Sequence, residues 1–127
     1  MALPPDLTEA VLERLGFGDR PATDLAGLDE VYGRWCRRVP FDNIVKRIHL
    51  VGGSTEPFPN GPAEAFLRRW LRDGTGGTCW PGSGGLHSLL VALGFDARRG
   101  SAAMFDNLLG PVHTHGTTLV RVDGVDH

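Results

Sequence analysis

The chain is poor in cysteine. Cys36 and Cys79 are the only two in 127 residues, far apart and in no CxxC pair. That excludes a disulfide framework and suits a reducing compartment, so a cytoplasmic setting is expected. No apolar run approaches membrane-spanning length. The opening Met1-Ala2-Leu3-Pro4-Pro5-Asp6 lacks a basic region followed by an apolar core and does not read as a signal peptide. Neither charge sign is in excess. The formal net charge of −2 offers no electrostatic case for nucleic acid or a membrane surface as a partner. There is no internal repeat. The glycine-rich run before residue 86 is followed by no Lys-Ser or Lys-Thr pair, which argues against a phosphate-cradling P-loop.

What is present fits one domain or a part of a larger one, with an ordinary hydrophobic fraction of 41%. The most informative stretch is Gly74-Thr75-Gly76-Gly77-Thr78-Cys79-Trp80-Pro81, running into Gly82-Ser83-Gly84-Gly85-Leu86. Leu86, Leu89, Leu90 and Leu93 have helical spacing, and Gly94 is a natural stop. Pro81 is tolerated only near a helix start, so Cys79 is placed at the first turn, on the buried stripe. Helix N-terminal amides favour an anion, and a thiolate is the nucleophilic form of cysteine. The plain alternative is a small buried residue in a glycine-rich turn.

Upstream, helices are predicted from Leu7 to Leu15, capped by Asp6 or Thr8, and from about Leu25 to Val39, capped by Thr23 or Asp24. In the second, Leu25, Leu28, Tyr32, Trp35, Cys36 and Val39 form the expected core face, which makes Cys36 a packing residue. Pro40 ends it. Ile48 to Val51 reads as a short strand, Gly52 to Gly61 as a loop. A third helix follows, with Asn60 as cap, Phe66, Leu67, Trp70 and Leu71 inward, and Arg68, Arg69 and Arg72 as a solvated face. Ala97 to Phe105 is β-compatible, and residues 106–111 read as a loop. From His113 a period of two appears, ending at the turn signal Asp123-Gly124. Only Val125, Asp126 and His127 follow, so an open sheet edge prone to association is expected. The expected division is 1–95, a helical bundle carrying the cysteine loop, and 96–127, the incomplete start of a β-barrel.

A nucleophilic Cys79 needs a base. His49 lies in a poorly defined segment, His87 sits off the helix stripe and is expected to be exposed, and His127 is terminal. His113 and His115 share one face of a strand, and periodicity alone does not choose between them. A metal site from Cys79, His113 and His115 lacks a fourth ligand of fitting spacing.

Taken in order, these segments resemble the arylamine N-acetyltransferase family along nearly the whole chain. The family's Pro-Phe-Glu-Asn-Leu is seen as Pro40-Phe41-Asp42-Asn43-Ile44. Its Arg-Gly-Gly-x-Cys-Phe-Glu-x-Asn-Gly is seen as Thr75-Gly76-Gly77-Thr78-Cys79-Trp80-Pro81-Gly82-Ser83-Gly84. Leu93-Gly94-Phe95, Thr114-His115 and Asp123-Gly124 follow in register. The resemblance implies an α+β fold with a cysteine-protease-like or transglutaminase-like core. It implies Cys79 as acyl-accepting nucleophile, His115 as its base, and Phe41, Thr78 and Trp80 at the substrate. The reaction would pass an acetyl group from acetyl-coenzyme A, a substrate and no resident cofactor, to an arylamine or hydrazine.

Thr75, Pro81 and Ser83 depart from the family's Arg, Glu and Asn, which points to a divergent branch or an altered substrate. The family's third catalytic residue, an aspartate in Asp-Val-Gly-Phe-Gly, would fall beyond His127, and Asp126 is too near the turn to match. The chain therefore reads as a piece with little or no turnover. Rival readings are another Cys–His enzyme, transglutaminase-like or protease-like, and a non-catalytic domain of the same fold.

Overall fold

The computed structural model describes residues 2–55, 61–106, 108 and 110–127. Among the described residues five helices come first: α1 (Pro5–Leu15), α2 (Leu25–Arg38), α3 (Ile44–Val51), α4 (Ala63–Asp73) and α5 (Cys79–Ala92). An antiparallel sheet follows in the order β1 (Asp96–Asp106), β2 (Gly110–Val122), β3 (Val125–Asp126). Helices then antiparallel strands is the expected α+β arrangement.

Local chemistry sets the helix ends. Asp24 caps α2 as expected, its carboxylate accepting from the Gly27 amide at 2.8 Å. In α1 neither expected cap acts. The helix starts at Pro5, whose missing N–H costs nothing there, and the Thr8 hydroxyl donates back to the Pro4 carbonyl at 3.1 Å. Gly16, at φ 84°, closes α1 in the left-handed conformation. The expected cap Asn60 lies outside the described residues.

Two expectations fail in informative ways. Residues 48–51 are helical, not a strand. The Asp42 carboxylate accepts from the Ile44 amide at 3.1 Å and starts a turn, and Ile44, Ile48 and Val51 then follow helical spacing. No residue of α3 is buried, so the apolar run had no core to report on. In α2 the inward stripe is Leu28, Val31 and Trp35, with Val39 buried just past the helix end, while Leu25, Tyr32 and Cys36 are exposed. Cys36 is therefore not a core residue. It follows Trp35 by one step of about 100° around the helix, which carries it off the packed face.

One core joins helices and sheet, running from Leu7, Val11 and Leu15 through Trp35, Phe66, Trp70 and Leu89 to Val120 and Val122. Each such large side chain contributes about 1.5–3 kcal/mol by leaving water. Trp35 stacks on Phe66 with ring centroids 6.3 Å apart. The glycines of α5 look unfavourable, at about 1 kcal/mol each against alanine. Gly85 has a packing reason, since a Cβ there would come within 2.7 Å of the Phe66 ring.

In the sheet, Ala97 faces Val120, with an irregularity between Ala102 and Met104. Asp123 and Gly124, at φ 50° and 78°, make the tight turn. After the turn the chain returns along β2 for the short strand β3. Arg121 pairs with Asp126 and Val122 with Val125, and the His127 amide donates to the Val120 carbonyl at 2.9 Å.

Candidate active site

The segment before α5 is tied to the segment after α2. Phe41 bridges Gly77, and the Asp42 amide donates to the Gly77 carbonyl at 3.1 Å. The Asp42 carboxylate accepts from the Gly76 amide at 2.8 Å. The loop carrying Cys79 is thereby fixed from the side of residues 40–42. Thr78 precedes the helix in extended conformation and makes no side-chain cap.

From the other side, α5 is stitched to β2. Trp80 Nε1 donates to the Thr114 carbonyl at 3.1 Å, and the Ser83 and Thr118 hydroxyls are 3.0 Å apart. Thr118 also donates to the Ser83 carbonyl at 3.1 Å. Cys79 Sγ lies 3.9 Å from the Thr114 carbonyl oxygen. Cys79 is half-buried at the first residue of α5, where the unpaired amides of a helix start face an incoming anion.

A groove of about 930 Å³ opens beside this junction. Phe41, Thr78, Cys79 and His115 line it, as do Tyr32 and Cys36 from α2. His113 and Trp80 are not among its lining residues. His113 is exposed on its strand, His115 half-buried. His87, expected to be exposed, is half-buried, and its Nε2 is 3.2 Å from the Ala97 carbonyl oxygen.

The exposed side of α2 is what sequence reasoning missed. Leu25, Asp29, Tyr32 and Cys36 follow helical spacing as a second stripe, and that stripe faces the groove. The Tyr32 phenol is pushed above its ordinary value, chiefly by its contact with the Cys36 thiol. Asp126 is held far below the usual carboxylate range by Arg121 and Arg98. Arg121 Nε donates to it at 2.9 Å and Arg98 Nη2 at 2.6 Å. No group of three or more His, Cys, Asp or Glu converges to hold a metal among the described residues. None of the described helices is long and apolar enough to cross a membrane.

No protein-family profile matches the chain. The curated arylamine N-acetyltransferase of Mycolicibacterium smegmatis is 29% identical over 119 residues, covering 91% of this chain and 41% of the relative. A solved M. smegmatis arylamine N-acetyltransferase superposes with a TM-score of 0.72 at 30% identity, over 92% of this chain and 42% of that one. Arylamine N-acetyltransferase C of Bacillus anthracis superposes with a TM-score of 0.74 at 18% identity, over 99% and 47%, a likeness of fold alone. The chain thus spans less than half the length of the proteins it matches. Within that span the resemblance read from the sequence holds both in sequence and in fold.

Proposed function

We propose that this chain is the cysteine-bearing part of an arylamine N-acetyltransferase working through an acyl-enzyme on Cys79. One observation carries the reading: Cys79 stands at the start of α5 with its sulfur 3.9 Å from the Thr114 carbonyl, in the same groove as His115. In the first step the Cys79 sulfur bonds to the thioester carbonyl carbon of acetyl-coenzyme A. The bond to the coenzyme sulfur breaks, and the coenzyme leaves as its thiol with the proton that His115 took from Cys79. In the second step an arylamine or hydrazine nitrogen attacks the Cys79 thioester. His115 accepts the nitrogen's proton and returns it to the Cys79 sulfur. Two modest barriers replace one high one. That Phe41 and Thr78 line the same groove supports a role for them at the acceptor.

On this reading little or no turnover is expected from these 127 residues by themselves. A base of this kind works best when a carboxylate fixes its tautomer. Asp126 is committed to Arg98 and Arg121 instead.

The test is to incubate the chain with acetyl-coenzyme A and locate any acetyl group by peptide mass spectrometry. Acetylation is expected on Cys79. It should be slowed about a hundredfold or more in His115→Ala, the usual worth of a general base, and nearly unchanged in His113→Ala. Acetyl-coenzyme A turnover with a panel of amines then separates acetyl transfer from hydrolase-type Cys–His chemistry. Acetylation confined to Cys36, or equal loss in both histidine variants, rejects the assignment.

A further inference from the structure

Arg99 belongs to none of the segments that carry the family resemblance, yet it touches the residue next to Cys79. Its Nη2 donates to the Trp80 carbonyl at 3.0 Å. Its guanidinium carbon stands 5.7 Å from the centroid of the Trp80 ring. Room for it exists because residue 84 has no side chain; a Cβ there would come within 3.0 Å of Arg99 Nη1. Trp80, 38% exposed, also touches β2. Its Nε1 donates to Thr114, and its ring lies so close to Gly116 that an added Cβ would be 2.9 Å away.

The contacts form a short chain from β1 through Trp80 to β2. Trp80 is covalently next to Cys79, and both Thr114 and Gly116 are covalently next to His115. We infer that Arg99 is a positioning residue: by pressing Trp80 against Thr114–Gly116 it fixes the first turn of α5, and so the Cys79 sulfur, relative to His115. The inference rests on the reading of Cys79 as nucleophile.

The physical case is that a first turn is the least constrained part of a helix, because its amides lack intrahelical partners. A charged donor on a carbonyl makes about twice as strong a bond as a neutral one, and a cation over an indole adds to it. Displacing reacting groups by about 1 Å costs on the order of a hundredfold in rate. A guanidinium that only stabilised the fold would affect every site alike.

The experiment compares the whole chain with its Arg99→Met and Arg99→Lys variants under limiting iodoacetamide. Peptide mapping reads the alkylation rates of Cys79 and Cys36 separately; Cys36, exposed on α2, is the internal control. Acrylamide quenching of tryptophan fluorescence reports Trp80, because Trp35 and Trp70 are buried. Arg99→Met is expected to slow Cys79 roughly tenfold, within the range a small displacement produces. Cys36 and the melting temperature should hardly change, quenching should rise, and Arg99→Lys should restore most of the Cys79 rate. Unchanged Cys79 rates, parallel changes at both thiols, or a lysine variant no better than methionine overturns the inference. If Cys79 in the unaltered chain reacts no faster than Cys36, the nucleophile reading fails on its own account. Quenching then decides the role of Arg99, and no rise in Arg99→Met rejects it.

Discussion

The Trp80 indole lies directly on the backbone of Gly116, with no room for a methyl group between them. An added Cβ at residue 116 would stand 2.9 Å from the ring, whereas one at Gly100 on the neighbouring strand would find only ordinary contacts at 3.4 Å and beyond. Gly116→Ala should therefore push the indole off β2, strain its bond to Thr114 and cost about 1–3 kcal/mol, the usual penalty of overpacking. Gly100→Ala should change stability by less than about 1 kcal/mol. Urea denaturation of both variants is the check, and equal midpoints would show that Trp80 does not need this contact.

The second prediction separates apolar residues that form the core from those that do not. Leu89 is fully buried at 0% exposure, while Val51 on α3 is 89% exposed. Leu89→Ala should destabilise the chain by about 2–5 kcal/mol through lost burial and the cavity left behind. Val51→Ala should stay within about 0.5 kcal/mol of the parent. A large loss at Val51 in thermal melts would mean that α3 is packed against something.

The third concerns acid. Asp126 joins β3 to β1 and β2 through Arg98 and Arg121, which hold its carboxyl far below the usual range. A depressed folded value means that the stabilisation is fully present above the unfolded value of about 3.9. It is lost as pH falls from there through the folded value. Following the Asp126 carboxyl carbon by NMR, the midpoint should lie well under the ordinary carboxylate range and return toward it in Arg121→Met. An ordinary midpoint in the unaltered chain would dissolve the proposed pairing. Because the carboxylate is well solvated, salt should weaken the effect.

Much of the fold was legible because local chemistry and global packing agree. Asp24 could be read as a cap, Gly16 and Gly94 as stops, and Leu86, Leu89 and Leu90 as a core stripe, because capping and helical spacing act within a few residues. Asp123-Gly124 read correctly as a turn for the same reason. The misreadings fall where burial, not pattern, decides. Ile48 to Val51 had strand-like residues, but an aspartate two residues before Ile44 and an absent core made the segment a helix. Cys36 sat among apolar neighbours, yet a 100° step placed it in the groove.

The sequence by itself determined which residue types stand at each helix start and turn: a cysteine opening α5, glycines before and within it, and a histidine at the head of a strand. Those are properties of neighbours along the chain. The tertiary structure alone decided what meets across it. Thr114 and Cys79 are 35 residues apart and come within 3.9 Å. Arg99 reaches Trp80 across 19 residues, and Asp126 is taken by two arginines. Such pairings arise from the packing of α5 on β1 and β2, and no periodicity records them, because each depends on the position of a distant backbone.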